Sequence, residues 1–302
     1  TINVLEQEGM TLSLGRKYAV NANFFNNGLH SPETCWLWGA FLTDGSASQR
    51  GRIRWMVKYA DYQWLERLKR ALESTHPVSL GTKSPRGNSF HQADLNVVCT
   101  QLWKTMCELL RKESCAPGFS PSHKCKYVRL PALDLPVDQH YNALLRGVFE
   151  GDGSLVAHKR HATMSLEFAS SNRGFVSDVR DVINKHALSG VQKELYGSLI
   201  DYKLPDGKSF HSLRFYDREV LMDICDWLYP AEMHECSTLM MPRKFKRVRF
   251  FQDVFSACSK PNVGRISSKS DRHVLMDQMI KDENTEQARL LLDLVKQACD
   301  YW

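Results

Sequence analysis

Two ten-residue stretches of this chain are copies of one motif. LWGAFLTDGS occupies residues 37–46 and LRGVFEGDGS occupies residues 145–154, and they agree at Leu, Gly, Phe, Asp, Gly and Ser in the same order. Their acids, Asp44 and Asp152, are 108 residues apart, a distance typical of a whole domain. A repeat with that period predicts two structural units of similar fold within one chain.

The segments that follow each motif repeat in the same order. Each copy continues with two short β-prone runs, an amphipathic helix, a second hairpin and a closing helix. These segments are 47–60, 61–74, 77–98 and 100–112 in the first copy, and 155–170, 172–186, 191–216 and 217–229 in the second. With the motif itself as the first helix, each copy is predicted to have the order αββαββα.

Capping residues set the expected limits of the motif helices. Ser31 before Pro32 is typical of an N-cap followed by proline in the first turn, and Asp138 is expected to cap the second motif helix. Each helix is predicted to end at the glycine after the motif acid, Gly45 or Gly153, in the left-handed conformation that glycine adopts readily.

Small residues four positions apart lie on one face of each motif helix, and they allow two helix backbones to approach closely. They are Gly39 and Thr43 in the first copy, and Gly147 and Gly151 in the second. We therefore expect the two helices to pack against each other and to bring Asp44 and Asp152 side by side.

Two adjacent carboxylates at helix C-termini repel each other and face the negative ends of two helix dipoles. A positive group is therefore expected beside Asp44 and Asp152, and Mg²⁺ bound by oxygen ligands fits that position. The alternative is that each acid only caps its own turn. Cys115, His123, Cys125, His234 and Cys236 have spacings that fit no standard metal site.

Composition restricts the class of protein. The 302 residues are 43% hydrophobic and 25% charged, which excludes a wholly disordered chain, and no apolar run is long enough to span a bilayer. A net charge of +6 suits a polyanionic partner without requiring one. The nine cysteines lack the pattern of a disulfide framework. We expect reduced thiols and an intracellular location, in an organellar matrix or a prokaryotic cytoplasm.

The two motifs resemble the paired signature helices of the LAGLIDADG homing endonucleases in their single-chain, two-motif form. KYAVNANFF, at residues 17–25, resembles the approach to the first helix in free-standing members, and the similarity covers about residues 17–250. It implies an α+β fold of two αββαββα halves about a pseudo-twofold axis, each with a four-stranded antiparallel sheet. The expected parts are a lead-in (1–30), a first half (31–130), a second half (131–257) and a linker with a C-terminal helical extension (258–302).

The resemblance also implies an activity, which is Mg²⁺-dependent cleavage of both strands of a long, asymmetric DNA site. Mn²⁺ is the expected substitute, and Ca²⁺ is expected to support binding without cleavage. Asp44 and Asp152 would be the metal-binding acids, and Thr43 and Gly151 would belong to the same metal site. Basic residues of the active centres are expected at Lys124 and Lys244. The polar residue that positions water is left open among Lys58, Ala60, Ser170 and Ser171.

The sheets implied by the resemblance would read the major groove with every second side chain of a strand. Arg50, Arg52 and Arg54 share one strand face and form the most strongly basic stripe. The other candidates for DNA contact are Lys58, Lys83, Arg86, His91, His158, Arg160, Lys193, Lys203, Arg214, Arg243 and Lys246.

Two other classes of function remain as alternatives. A non-cleaving DNA- or RNA-binding protein, such as an intron RNA maturase, uses the same fold, and intron RNA is therefore a second candidate partner. A small-molecule enzyme with a carboxylate pair is disfavoured, because the chain has no Gly-rich phosphate loop, nucleophile elbow or zinc signature. We expect a monomer, since both motifs are on one chain, and no membrane partner.

Overall fold

The computed structural model describes residues 17–48, 51–83, 90–113, 124–133, 138–158, 163–190, 195–205, 207–234, 237 and 239–257. The chain divides into two compact units, 1–246 and 247–302. The first unit contains both sheets and every helix before the last one. In the second unit the structure describes the end of a helix that begins at Pro242, and the expected extension at 258–302 lies outside the described residues.

Both copies have the predicted order αββαββα. The first consists of α1 (Pro32–Thr43), β1 (Gly45–Ser48), β2 (Arg52–Lys58), α2 (Tyr62–Ala71), β3 (Val78–Lys83), β4 (Phe90–Val98) and α3 (Thr100–Glu113). A short helix, α4 (Lys124–Tyr127), follows. The second consists of α5 (Asp138–Asp152), β5 (Gly153–His158), β6 (Thr163–Ser170), α6 (Arg173–Val182), β7 (Ser198–Lys203), β8 (Ser209–Phe215) and α7 (Arg218–Leu228), and α8 (Pro242–Ala257) follows it.

The two sheets have the same topology. Their strand orders are β1-β2-β4-β3 and β5-β6-β8-β7, and every neighbouring pair is antiparallel. In β2, Ile53 and Trp55 are buried and the intervening residues are more exposed, as expected for a strand with one face on the core. The α+β fold with two four-stranded antiparallel sheets is therefore confirmed.

The motif helices α1 and α5 pack directly against each other at their glycines. A Cβ atom at Gly39 would lie 2.1 Å from the Leu144 carbonyl oxygen, and one at Gly147 would lie 2.2 Å from the Trp36 carbonyl oxygen. Real side chains do not tolerate such distances, so only glycine permits this contact. The two contacts correspond to each other in the repeat, which confirms the predicted close approach and shows its pseudo-twofold symmetry.

The expected helix starts are partly confirmed. Ser31 caps α1 through a capping box with Thr34, and Pro32 occupies the first turn. The helix α5 begins at Asp138 itself, and the Asp138 carboxylate accepts a hydrogen bond from His186 Nδ1 at 2.8 Å.

The prediction of left-handed glycines at the helix ends is wrong. Neither Gly45 nor Gly153 has a positive φ, and each begins the following strand. Glycine is needed there for a different reason. A Cβ atom would lie 2.4 Å from the Phe41 ring at Gly45, and 2.3 Å from the Phe149 ring at Gly153. The chain thus passes from helix into strand over the aromatic ring of the preceding turn.

Buried thiols agree with the expectation from cysteine spacing. Cys35, Cys99, Cys107 and Cys225 are free and buried. Burial raises the pKa of the Cys107 thiol to about 11, which keeps it protonated and unreactive near neutral pH. Within the described part of the chain, no helix combines the length and the apolar character needed to cross a membrane.

Candidate active centres at the ends of the motif helices

A lysine ammonium lies at the C-terminal end of each motif helix. Lys124 Nζ donates hydrogen bonds to the carbonyl oxygens of Leu42 and Thr43, in the last turn of α1. Lys244 Nζ donates to the carbonyl oxygens of Phe149, Gly151 and Gly153, at 2.6, 3.1 and 2.6 Å. Helix C-termini carry partial negative charge and unsatisfied carbonyl groups, so a cation is well placed at each end.

The two lysines occupy equivalent environments. Lys124 Nζ lies 5.4 Å from the centroid of the Phe41 ring, and Lys244 Nζ lies 5.2 Å from that of Phe149. Both side chains are buried in the motif-helix ends. Burial, followed by repulsion from Arg243, lowers the pKa of Lys244 to about 8. Positive charge is expected beside two adjacent carboxylates, and these ammonium groups supply part of it.

The motif acids lie beside these lysines. Asp44 is the C-cap of α1 and Asp152 is the last residue of α5. Burial, and then repulsion from Asp152, raise the pKa of Asp44 to about 6, while Lys244 and Lys124 oppose the change. Part of the Asp152 side chain is open to solvent. The neighbouring protein still removes enough water from this carboxylate to raise its pKa, and Lys124 and Lys244 again act in the opposite direction.

Thr43 and Gly151 face each other across the helix pair. A Cβ atom at Gly151 would lie 2.0 Å from Thr43 Oγ1 and 3.4 Å from Asp44 Oδ2, so the glycine leaves room beside that carboxylate. The Thr43 hydroxyl donates to the Gly39 carbonyl at 3.1 Å. The carbonyl oxygens of Thr43 and Gly151 already accept hydrogen bonds from the lysines.

The oxygen donors at this place fit a divalent cation. Asp44 and Asp152 provide carboxylate oxygens whose mutual repulsion a cation would relieve, and Mg²⁺ is commonly held by one or two carboxylates with water or phosphate completing the shell. Among the described residues, no cluster of three or more His, Cys, Asp or Glu side chains forms a self-sufficient metal site. A cation here would therefore depend on additional ligands from water or a bound phosphate.

The outward face of the first sheet carries part of the basic stripe. Arg52, Arg54 and Lys58 alternate with buried residues of β2 and share the more exposed face. The Arg54 guanidinium is paired with Asp94 on β4, with Nε 2.7 Å from Oδ2. This acid lies opposite Met56 in the register, on the same face as the arginine. The stripe is therefore less basic than its arginines alone suggest.

The second sheet also has an arginine paired with an acid on its outward face. Arg214 on β8 lies opposite Glu167 on β6, and Arg214 Nε is 3.2 Å from Glu167 Oε2. The guanidinium also lies 5.7 Å from the centroid of the Tyr202 ring. The outward face of each sheet therefore has an arginine whose position is set by a neighbouring acid.

Two other candidates for DNA contact, His91 and Lys203, lie on the core-facing side of their sheets and not on the outward side. His91 lies opposite Thr82 in the register and shares the face of buried Ala93, and Lys203 has the same parity as Leu199, opposite buried Leu213. Their positions contradict a common outward face with Arg52 and Arg214, because neighbouring residues of a strand point to opposite sides.

The remaining candidates divide into four groups. Arg243 donates to Asp61 through Nε and Nη2, at 2.7 and 2.9 Å, so two of its N–H groups are already used in an ion pair. Lys246 is exposed on α8. For Lys83 and His158 the structure describes only the backbone, as the last residues of β3 and β5; Arg50, Arg86, Arg160 and Lys193 lie outside the described residues.

The second motif also contains a buried carboxylate, Glu150, that was not predicted from the sequence. Glu150 accepts hydrogen bonds from Trp36 Nε1 at 2.8 Å, Trp64 Nε1 at 2.9 Å and the Tyr229 hydroxyl at 3.1 Å. Attraction from Arg146 opposes the rise in the pKa of Glu150 that burial causes. Since the two tryptophans belong to the first copy, this carboxylate joins the halves. The available signal was an acid at a core-facing position of a motif helix.

No family model and no curated protein matches the chain. Among solved structures, the homing endonuclease I-WcaI bound to its DNA recognition sequence aligns at 15% identity and a TM-score of 0.49, over 80% of this chain and 99% of that one. The N-terminal LAGLIDADG domain of DUF199/WhiA aligns at 12% identity and a TM-score of 0.40, over 75% and 92%.

The LAGLIDADG meganuclease I-AabMI bound to uncleaved DNA aligns at 12% identity and a TM-score of 0.40, over 74% of this chain and 92% of that one.

The resemblance of the motifs implied two αββαββα halves with paired motif helices and two four-stranded antiparallel sheets. All of these features are present in the structure. The chain therefore has the LAGLIDADG fold.

Proposed function

We propose that this protein is a divalent-metal-dependent endonuclease that cuts both strands of a long, asymmetric DNA site. The observation that carries the proposal is the duplication of one chemical centre at the ends of two packed helices. Each end has a motif carboxylate, Asp44 or Asp152, and a buried ammonium, Lys124 or Lys244. Two equivalent centres in one chain suit the cutting of two antiparallel strands by a monomer.

The residues of each centre have separable roles in this proposal. Asp44 and Asp152 would hold Mg²⁺, which when bound makes water a stronger nucleophile near neutral pH and stabilises the leaving oxygen. Lys124 and Lys244 are fixed by carbonyl oxygens before any substrate arrives. Their charge would therefore stabilise the negative charge that develops on the phosphate, without a large rearrangement.

The sheets supply the proposed DNA-binding surface. Each outward face holds an arginine, Arg54 or Arg214, beside an acid, and the first face also carries Arg52 and Lys58. Base readout in the major groove needs groups held in fixed positions, which paired arginines provide better than freely rotating ones. Arg52 and Lys58 would supply phosphate contacts that weaken with salt.

Cleavage of a randomised library of long duplexes tests the proposal. With Mg²⁺ we expect DNA ends that converge on one asymmetric site. Mn²⁺ should support cleavage at the same site, at most to the extent seen with Mg²⁺, and Ca²⁺ should support binding without cleavage. Asp44→Asn and Asp152→Asn should abolish cleavage, whereas Asp223→Asn, an exposed acid on α7, should not. Tight, salt-dependent binding without any cut in Mg²⁺ would refute the nuclease proposal and favour a non-cleaving DNA- or RNA-binding protein.

A further inference from the structure

The segment that carries Lys244 is tied to the first half of the molecule. Arg243, the residue before it, donates from Nε to Asp61 Oδ1 at 2.7 Å and from Nη2 to Asp61 Oδ2 at 2.9 Å. Asp61 is buried at the N-cap of α2, yet its side chain makes no capping hydrogen bond. An aspartate at an N-cap normally accepts a hydrogen bond from the first turn of its helix, whereas this carboxylate forms an ion pair with Arg243 instead.

A second contact holds the same segment. Arg67, also on α2, donates from Nη1 to the carbonyl oxygens of Ser237 and Met240, just before α8. The start of α8 is therefore fixed to α2 of the first half, while Lys244 reaches the end of α5 in the second half.

The segment that carries Lys124 is tied in the opposite direction. Arg129 donates from Nε to Asp178 Oδ2 at 2.6 Å and from Nη2 to Asp178 Oδ1, and the Leu130 amide donates to Asp178 Oδ2 at 3.0 Å. Asp178 is on α6, in the second half. The N-cap of that helix, Asn172, donates to the Val128 carbonyl at 2.7 Å.

The helices α2 and α6 occupy the same place in the repeat, so the two arrangements are crossed. Each pair uses two N–H groups of one arginine, a geometry that fixes direction as well as distance. We propose that Asp61 and Asp178 are positioning residues, each of which holds in place the lysine at the motif-helix end of the opposite half. Asp61 holds Lys244 at α5, and Asp178 holds Lys124 at α1.

The need for such a constraint follows from the lysines themselves. A buried ammonium is stable only while its acceptors remain in place, and a lysine side chain has high rotamer entropy to lose. The short helix α4 and the start of α8 must therefore stay registered to α1 and α5. A bidentate ion pair within five residues of each lysine provides that registration.

Lysine labelling by reductive methylation of the full-length protein tests the inference without DNA. In the wild-type protein both Lys124 and Lys244 should react slowly, because they are buried, and exposed Lys104 on α3 serves as the internal reference. Asp61→Asn should increase labelling of Lys244 about tenfold and leave Lys124 unchanged, which equals about 1.4 kcal/mol of local opening.

Asp178→Asn is the matched control and should have the reverse effect, on Lys124 alone. Asp61→Glu, which keeps the carboxylate, should restore part of the protection of Lys244. Arg243→Gln removes the cation of the same pair from its more exposed side, so it tests the inference if Asp61→Asn does not fold. Equal opening of both lysines in either variant, or no change in labelling, would overturn the inference.

Strand-resolved cleavage gives a second test, which rests on the proposed function. Asp61→Asn should slow the cutting of one strand and Asp178→Asn the cutting of the other. Each variant should therefore accumulate duplex that is nicked in one strand only, and the nicked strand should differ between the two variants. If the wild-type protein cuts no duplex, the proposed function fails while the labelling result still decides the inference. If it cuts and both variants slow both strands equally, the inference fails and the function stands.

Discussion

The motif acids should destabilise the folded protein when they are ionised and no cation is bound. The pKa of Asp44 is raised from 3.8 to about 6, mainly by burial and then by Asp152. Each pKa unit corresponds to about 1.36 kcal/mol, so the shift implies about 3 kcal/mol at pH 7.5. Because Asp44 is only half-buried, solvent screens part of this cost, and we expect Asp44→Asn to stabilise the protein by about 2 kcal/mol.

The pH dependence follows from the same shift. Between pH 3.8 and about 6 the folded state binds more protons at Asp44 than the unfolded state does, so stability should fall as pH rises through that window. Below it the carboxyl is neutral in both states. The advantage of Asp44→Asn should therefore be largest above pH 6 and mostly lost near pH 4.

Urea unfolding of the wild-type protein and Asp44→Asn at pH 7.5 and pH 4, with chelator present, measures both effects. Ca²⁺ added at pH 7.5 should then stabilise the wild-type protein and leave Asp44→Asn almost unchanged, because the cation replaces the missing positive charge. Wild-type stability equal to or above that of the variant at pH 7.5, or a difference that persists at pH 4, would refute the reasoning.

Three further predictions concern the helix pair, the buried acid and the sheet face. Gly147→Ala should lower the free energy of unfolding by about 3 kcal/mol in urea titrations, because its Cβ would meet a backbone carbonyl, whereas Gly190→Ala, with open space around it, should be neutral. Glu150→Gln should cost about 3 kcal/mol in the same assay by removing the negative charge that offsets the burial of the Arg146 guanidinium, and an unchanged midpoint would contradict that role. Arg52→Ala and Lys58→Ala should each weaken DNA binding and reduce the slope of log K against log salt by about one, and equal slopes would show that these residues make no phosphate contact.

Most of the fold could be predicted from local patterns. Each copy of the motif, the apolar spacing of α2 and α6, and the cap at Ser31 all depend on residues close together in the chain. The contact of Gly39 with Gly147 could also be predicted, since small residues four apart leave room for a second backbone. The prediction for Gly45 was wrong in its reason. The Phe41 ring of the preceding turn leaves no room for a side chain at this position, whereas the backbone conformation does not require glycine.

The positions of the charged groups depended on pairings between distant parts of the chain. Arg243 is a candidate phosphate contact in the sequence, yet it forms an ion pair with Asp61, which is 182 residues away in the chain. His91 is a basic candidate in sequence, but the strand register turns it to the other face from Arg52.

The amino-acid pattern was enough to predict the two halves, the order of their elements, the close helix pair and the location of the motif acids, because these follow from periodicity and residue size. The folded structure was needed to show where the ammonium groups of Lys124 and Lys244 lie, which arginines are paired, and how Glu150 joins the halves. The physical reason is that a charge is stabilised by the groups that surround it in space. Those groups come from both halves of the chain, and no local pattern specifies which of them meet.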